Sequence, residues 1–363
     1  MKICLAISTM SSGGAERNIS MLANHFSKNN DVFILTLQGN KKSFYNIDNK
    51  VKIIELDLIK NTKNFFLKLI NLIKRIYIIA LQLNKHKPDV LISFLETTNI
   101  TLIISSLFIS SVKVRIVSDR NNPNKSERPT IITILKFLFY RFSDHIVLQT
   151  RKIKKNYKFV KKNKIKIIPN TISEKIKLKK NYKINKKLKI ISVGRLEQQK
   201  GYDVLLKSLK LLKDNNCDFI CNIFGKGAER KKINQSIIKL GLRNQVFLKG
   251  VDKKILNYYK NYNLYILSSK YEGYPNSLLE ALASGLTSIS SDCDYGPSEI
   301  INNNVNGLLF KNENHLDLYK KINYLLQNKS KFNKFGKVSK KKFQTTLFNN
   351  DKLIKWEKII KKK

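Results

Sequence analysis

Ser268-Ser269-Lys270-Tyr271-Glu272-Gly273-Tyr274-Pro275-Asn276-Ser277-Leu278-Leu279-Glu280-Ala281-Leu282-Ala283-Ser284-Gly285 is the most informative stretch of the chain. The apolar run before it, Leu264–Leu267, reads as a strand, so a loop opens at Ser268. Pro275 and Asn276 suit the start of a helix and Gly285 its stop. Glu272 then sits in the loop and Glu280 about one turn inside the helix, with seven residues between them. Carboxylates accept hydrogen bonds from hydroxyls, so two acids placed this way can grip two polyols. The backbone amides of Asn276, Ser277 and Leu278 would point at an anion. Two buried acids with no such duty would be costly.

The same strand–loop–helix rhythm runs outward in both directions. Toward the N-terminus of this half, Leu188–Val193, Phe219–Phe224 and Val246–Leu248 are predicted strands, and Thr287–Ser290 follows the stretch. In the first half the predicted strands are Lys2–Ser8, Val32–Leu37, Val51–Leu56, Val90–Phe94, Val114–Ser118, Ile146–Gln149 and Lys164–Ile168. Helical patterns lie between them at Glu16–Ser27, Phe65–Leu83 and Thr130–Phe142. Such alternation predicts parallel sheets covered by helices on both faces. The lysine-rich, aperiodic segment 171–187 reads as a linker. The expected organisation is α/β: a Rossmann-like domain over 1–170, a second over 188–342, and a last helix over 343–363.

Composition narrows the class. The 363 residues carry 70 Lys+Arg against 26 Asp+Glu, a formal net charge of +44. That field suits phosphate-bearing partners, although Lys, Asn and Ile are frequent everywhere and compositional drift accounts for the excess equally well. The four cysteines, Cys4, Cys217, Cys221 and Cys293, lack zinc-ligand spacing and read as free, buried thiols of a reducing compartment. The opening MKICLAIS is a first strand rather than a signal peptide. No apolar run is long and unbroken enough to span a bilayer; Ile100 to Ile116 is interrupted by serines, Lys113 and Arg115.

Three further loops repeat the arrangement. Gly13-Gly14-Ala15-Glu16-Arg17 joins the first strand to a helix, and paired glycines let a backbone approach a ligand. Taken alone it reads first as a plain tight turn, because it is not a full dinucleotide fingerprint. Val193-Gly194-Arg195-Leu196-Glu197-Gln198-Gln199-Lys200-Gly201 sets Arg195 and Lys200 beside a helix start, which suits a leaving diphosphate. Phe224-Gly225-Lys226-Gly227 is a flat loop on which a ribose or base can rest.

These motifs, in this order, resemble the retaining glycosyltransferases of family four, which have the GT-B fold of two Rossmann-like domains facing across a cleft. Ser291-Asp292-Cys293-Asp294-Tyr295-Gly296-Pro297-Ser298-Glu299 and Asn306-Gly307-Leu308-Leu309 match as well, so the resemblance covers nearly the whole chain. Ile92-Ser93-Phe94-Leu95-Glu96-Thr97-Thr98-Asn99 and Ser118-Asp119-Arg120-Asn121-Asn122-Pro123 are similar to enzymes that build bacterial surface glycans on polyprenyl-diphosphate carriers.

The resemblance implies a UDP-sugar donor, no cofactor and no metal, with Arg195 and Lys200 on the diphosphate. It implies Glu280 on the ribose, Glu272 on the transferred sugar, and Gly225, Asn276, Ser277 and Leu278 lining the donor site. Gly13 and Gly14 would approach the phosphates from the first domain. Relatives carry a His where this chain has Asp119-Arg120, so Arg120 is a candidate for the donor sugar or the acceptor diphosphate. Asp292 and Asp294 resemble a metal pair of another glycosyltransferase fold, but a late loop after a strand is the wrong setting for it.

The segment Phe65–Leu83 places Phe65, Leu69, Leu72, Ile76, Ile79 and Leu83 on one helical face and Lys68, Asn71, Arg75, Gln82 and Lys85 on another. Its apolar face suits a sheet, and its basic face suits anionic lipid or a lipid-linked diphosphate. Lys68 and Arg75, with Glu96 and Arg120, are therefore the acceptor-side candidates, and a peripheral place on the inner face of a membrane, in the cytoplasm, is expected. Two rivals remain at this level. An epimerase of similar fold would need acid–base side chains around the sugar. A nucleic-acid-binding protein would need a basic, aromatic-studded module, which the evenly spread lysines do not form.

Overall fold

A computed structural model describes residues 1–39, 43–59, 64–120, 130–171, 176–182, 187–348 and 351–361. The chain divides into two compact units, Met1–Thr171 with Asp351–Lys363, and Ile172–Asn350.

The first unit is built on a seven-stranded sheet of order β3-β2-β1-β4-β5-β6-β7. Its elements are β1 (Lys2–Ile7), α1 (Gly14–Phe26), β2 (Asp31–Thr36), β3 (Lys52–Glu55), α2 (Phe65–His86), β4 (Val90–Phe94), α3 (Glu96–Ser106), β5 (Val114–Ser118), α4 (Thr130–Phe139), β6 (His145–Leu148) and β7 (Ile165–Ile167). Every pairing is parallel. Parallel neighbours need crossovers, so both faces of the sheet are covered and the central strands are apolar throughout. Alternate residues of β1 serve different cores. Ile3, Leu5 and Ile7 pack with α1, while Cys4 and Ala6 pack with Ile79 and Leu83 of α2 and Leu102 of α3. The strand order reverses beside β1, where such sheets bind ligands at their carboxyl ends.

The second unit has a six-stranded sheet of order β10-β9-β8-β11-β12-β13. It contains β8 (Leu188–Val193), α5 (Tyr202–Asp214), β9 (Phe219–Phe224), α6 (Arg230–Lys239), β10 (Val246–Gly250), α7 (Ile255–Tyr258), β11 (Leu264–Leu267), α8 (Asn276–Ala283), β12 (Thr287–Ser291), α9 (Pro297–Ile300), β13 (Leu308–Phe310), α10 (His315–Gln327) and α11 (Lys329–Phe348). Its pairings are likewise parallel.

Three expectations need correction. Segment 171–187 is not a free linker, because its described part packs in the second unit. Ile176 is buried with Leu279 and Leu282, Lys179 N donates to Ser284 O at 2.7 Å, and Lys179 Nζ donates to Tyr262 O at 2.5 Å. Burial lowers that ammonium to about 8. Single anchors of this kind leave no periodicity to read. The helix expected over 343–363 is two: α11 belongs to the second unit, and α12 (Asp351–Ile360) to the first. Phe332 and Phe335 of α11 join the core of the second unit, whereas Trp356, Ile359 and Ile360 of α12 join Ile3 and Leu5. Finally, α3 was missed because it is buried nearly all round, including Thr98, Asn99 and Thr101, which erases amphipathic spacing.

Candidate functional site

In the second unit the carboxyl ends of β8, β9 and β11 carry three loops held together by main-chain bonds. Gly194 N donates to Phe224 O at 3.0 Å, Leu196 N to Lys226 O at 2.9 Å, and Lys270 N to Gln199 O at 2.8 Å. Gln199 Nε2 donates to Tyr271 O at 2.9 Å, and Ser268 Oγ to Lys200 O at 2.9 Å. Such approaches require glycine. Gly225 has φ +151°, and a Cβ there would lie 1.8 Å from Gly194 O. Gly225→Ala is therefore expected to force the β9 loop away from the β8 loop, at about 1–3 kcal/mol. A thermal melt of that variant several degrees below wild type is the expected reading; an unchanged melt rejects the packing argument.

Lys200 and Glu272 meet. Lys200 Nζ lies 2.6 Å from Glu272 Oε1, with the side chains only 14% and 7% exposed. Ser269 Oγ donates to the same Oε1 at 2.7 Å. Both bonds fall on one oxygen, and Oε2 takes part in neither. Glu280, buried on α8, accepts from Tyr259 Oη at 3.0 Å through Oε2. Ser277 bonds Tyr265 Oη at 2.8 Å, and the rings of Tyr259 and Tyr265 meet edge to face at 6.2 Å. A buried tyrosine pair thus links the polar groups of α8. Burial, then the charges of Tyr259, Glu272 and Tyr202, raises the Tyr265 hydroxyl well above its ordinary range and keeps it a proton donor. Asn276 begins α8 and Leu278 is buried on it; the Pro275 that precedes them offers no side-chain cap to the amides.

Arg195 is placed differently from Lys200. It is exposed, with Nη1 3.3 Å from Glu197 Oε1 and Nη2 donating to Gln199 Oε1 at 3.1 Å. Cys293 is no nucleophile, because burial and the charge of Glu272 push its thiol up to about 12. Asp292 and Asp294 are exposed. Among the described residues no three His, Cys, Asp or Glu side chains cluster as metal ligands would.

In the first unit, Gly13 precedes α1 in extended conformation, and Gly14 opens the helix. The Glu16 carboxylate lies against Gly13, so a Cβ there would meet its Oε2 at 2.1 Å. The helix start that was expected to face phosphates is thus covered by an acid of its own first turn. Glu96 is not open to an acceptor either. It pairs with Lys136 Nζ at 2.8 Å, and the same Nζ pairs with Asp119 Oδ2 at 2.7 Å. Lys136 Nζ also donates to Tyr157 Oη at 2.9 Å, while Asp119 Oδ1 accepts from Asn99 at 2.8 Å and Tyr140 at 2.7 Å. Burial works to raise the Asp119 carboxyl, but the Lys136 charge and these hydrogen bonds outweigh it and hold the pKa low.

Arg120 stacks over the Phe94 ring at 4.1 Å and donates through Nη1 to Asn170 Oδ1 at 2.5 Å. Asn121, Asn122 and Pro123 lie outside the described residues, as does the side chain of Lys68. Arg75 is half-buried with its Nε unpartnered, and burial lowers its pKa. On the basic face read from the sequence Lys85 is exposed, while Asn71, Arg75 and Gln82 are half-buried. The exposed stripe of α2 is apolar: Phe66 (74%), Ile70 (57%), Ile73 (60%), Tyr77 (63%) and Leu81 (49%).

Lys136, Tyr157, Tyr259 and Tyr265 were absent from the sequence reading. One signal for Lys136 existed: it is the single charged residue in the helix TIITILKFLF. The tyrosines carry no local signal, because they reach their partners from other strands and turns.

Residues 174–342 match the family model of glycosyl transferases group 1. An uncharacterised glycosyltransferase of Methanocaldococcus jannaschii is 32% identical over 264 residues, 67% of this chain and 65% of that protein, so the chain spans just under two thirds of it. A Campylobacter jejuni protein named GalNAc-alpha-(1->4)-GalNAc-alpha-(1->3)-diNAcBac-PP-undecaprenol alpha-1,4-N-acetyl-D-galactosaminyltransferase is 29% identical, covering 91% of this chain and 90% of its own. TarM of S. aureus, solved with Fondaparinux, alpha-GlcNAc-glycerol and UDP, superposes with a TM-score of 0.81 at 15% identity, covering 99% of this chain and 100% of its own.

Proposed function

We propose that the chain is a glycosyltransferase of group 1, which the match of residues 174–342 and the GT-B fold support, and that it moves a hexose or N-acetylhexosamine from a UDP-sugar to a lipid-linked glycan, with retention at the anomeric carbon. The observation that carries the reading is the buried Lys200–Glu272 pair among three glycine loops at the sheet's carboxyl edge. Lys200 and Arg195 supply positive charge for the departing diphosphate, without a metal. Glu272 fixes Lys200 through Oε1 and accepts from a sugar hydroxyl through Oε2. Glu280, oriented by Tyr259, accepts from the ribose hydroxyls. An acceptor hydroxyl forms the new bond to the anomeric carbon, the bond to the diphosphate oxygen breaks, and that oxygen takes the hydroxyl proton. The UDP complex of TarM and the PP-undecaprenol named for the Campylobacter relative support the donor and acceptor classes.

The test is UDP release. Purified protein with a panel of UDP-sugars and a lipid extract is expected to release UDP only when extract is present. Conversion of the donor sugar without extract would instead show epimerisation, and a silent panel with extract would reject the reading.

Membrane attachment is part of the proposal. Besides the stripe of α2, Ile131, Ile134, Phe137 and Leu138 of α4 and Phe108 are exposed. α3 packs against both helices, and so many exposed apolar side chains on neighbouring elements favour an interaction surface. Neither α2 nor α4 contains an acid, while α2 carries Lys68, Lys74, Arg75 and Lys85, which suits an anionic bilayer. No described helix is long and apolar enough to cross one. Ile70→Glu with Ile73→Glu is expected to lower co-sedimentation with phosphatidylglycerol-containing vesicles at least about tenfold. Undiminished co-sedimentation overturns the assignment.

A further inference from the structure

The carboxyl ends of β4, β5, β6 and β7 bring together Phe94, Arg120, Gln149 and Asn170, and α12 adds Lys352. Two cations converge on one residue. Arg120 Nη1 donates to Asn170 Oδ1 at 2.5 Å, and Lys352 Nζ donates to Asn170 O at 2.9 Å. Gln149 Nε2 donates to the same Oδ1 at 2.6 Å. Asn170 itself is buried. The acids nearest in sequence to Arg120 and Phe94, Asp119 and Glu96, are both engaged by Lys136. Among the described residues no carboxylate pairs with Arg120 or Lys352. Arg120 Nε is buried without a partner, and so is Gln149 Oε1.

We propose that Arg120 and Lys352 form a binding site for a phosphate or diphosphate group at the carboxyl edge of the first sheet. Both cations are half-buried, with Arg120 Nε fully so; holding them without a counter-ion among the described residues is costly, and a bound anion offsets that cost. Arg120 is pre-aimed: its plane is fixed on Phe94 and its Nη1 on Asn170, which leaves Nε to donate to a phosphate oxygen. Gln149 Oε1 adds an acceptor for a hydroxyl, so a phosphorylated polyol fits better than a bare ion. Burial, opposed by the charge of Asp119, lowers Arg120 to about 9, and burial with the charge of Lys355 lowers Lys352 to about 8, as expected where water is scarce and a counter-ion is lacking. The occupant we assign is the diphosphate of the acceptor. That assignment rests on the function proposed above; the anion site itself does not.

The fold supplies a local reporter. Trp356, the chain's one tryptophan, lies on α12 four residues after Lys352 and stacks on Phe94 at 6.0 Å and 24°. Inorganic pyrophosphate and geranyl diphosphate are each expected to change Trp356 emission saturably in the full chain, whereas UDP is not. Arg120→Gln and Lys352→Gln should each weaken that response about tenfold or more, with Arg120→Lys intermediate. Lys200→Ala should leave it intact while abolishing UDP binding measured by calorimetry. A silent tryptophan, or a response lost in Lys200→Ala and kept in the Arg120 and Lys352 variants, overturns the site. A response to UDP but not to geranyl diphosphate overturns the acceptor assignment. Loss of UDP binding in wild type with the tryptophan response retained would sink the donor reading alone.

Discussion

Lys200→Met is expected to lower UDP release with acceptor by about two to three orders of magnitude, the usual scale for one charge-stabilising donor. It should also destabilise the second unit. Glu272 is 6% exposed, and without the ammonium its Oε1 keeps only the Ser269 hydroxyl. Removing one partner of a buried pair costs about 3–5 kcal/mol. The double variant Lys200→Met, Glu272→Gln separates the two effects, because it removes the stranded charge as well. Urea unfolding followed by circular dichroism should recover most of the lost stability in the double variant, while transfer stays low. Recovery of transfer together with stability would make the pair a structural brace only. Arg195 offers the complementary case. Its side chain is exposed and held by Glu197 and Gln199, so Arg195→Ala should cut the rate on a similar scale and leave unfolding unchanged. Undiminished turnover would remove Arg195 from the reaction.

Lys136→Met should be the most destabilising single change in the first unit. Lys136, Glu96 and Asp119 have side chains only 8%, 12% and 7% exposed, and the substitution leaves two buried carboxylates without their cation. A loss of about 3–5 kcal/mol at neutral pH is expected. The pH dependence has a fixed sign. Asp119 is held below its ordinary value of 3.8 in the folded chain, so its contribution is present above that value and fades as pH falls through the folded pKa. In the variant the stranded acids take up protons more readily, so the deficit is largest at neutral pH and shrinks on acidification. Unfolding monitored at Trp356, which reports the first unit, checks both statements. A deficit that is independent of pH would show that the network contributes packing rather than charge.

The strands were legible because each is a short apolar run between turn residues, and the burial of parallel strands on both faces leaves no polar position to confuse the pattern. Val90–Phe94, Val114–Ser118, Leu188–Val193, Phe219–Phe224 and Leu264–Leu267 fall where the sequence places them. β13 was not expected, because three residues after a glycine carry too little pattern. The outward face of α2 was misjudged for a related reason. Ile79 and Leu83 do meet the core as their spacing places them, but α2 carries more apolar residues than one stripe can hold, so Phe66, Ile70, Ile73 and Tyr77 are left exposed on it.

Arg195, Lys200 and Glu272 could be named from the chain because each lies in a loop that follows a strand, and Glu280 because seven residues separate it from Glu272 and it lies inside the helix that begins at Asn276. What each side chain meets there could not be. Lys200 and Glu272 are separated by 72 positions, and Lys352 and Asn170 by 182. Short-range pattern determined the two Rossmann-like units and the loops that bear chemistry. Only the tertiary structure decided that Glu96 is consumed by Lys136, that Arg120 meets no carboxylate partner among the described residues, and that the last helix brings a lysine beside Asn170. Partner choice among buried charges depends on which strands lie side by side, and that is a property of the packed sheet rather than of any segment.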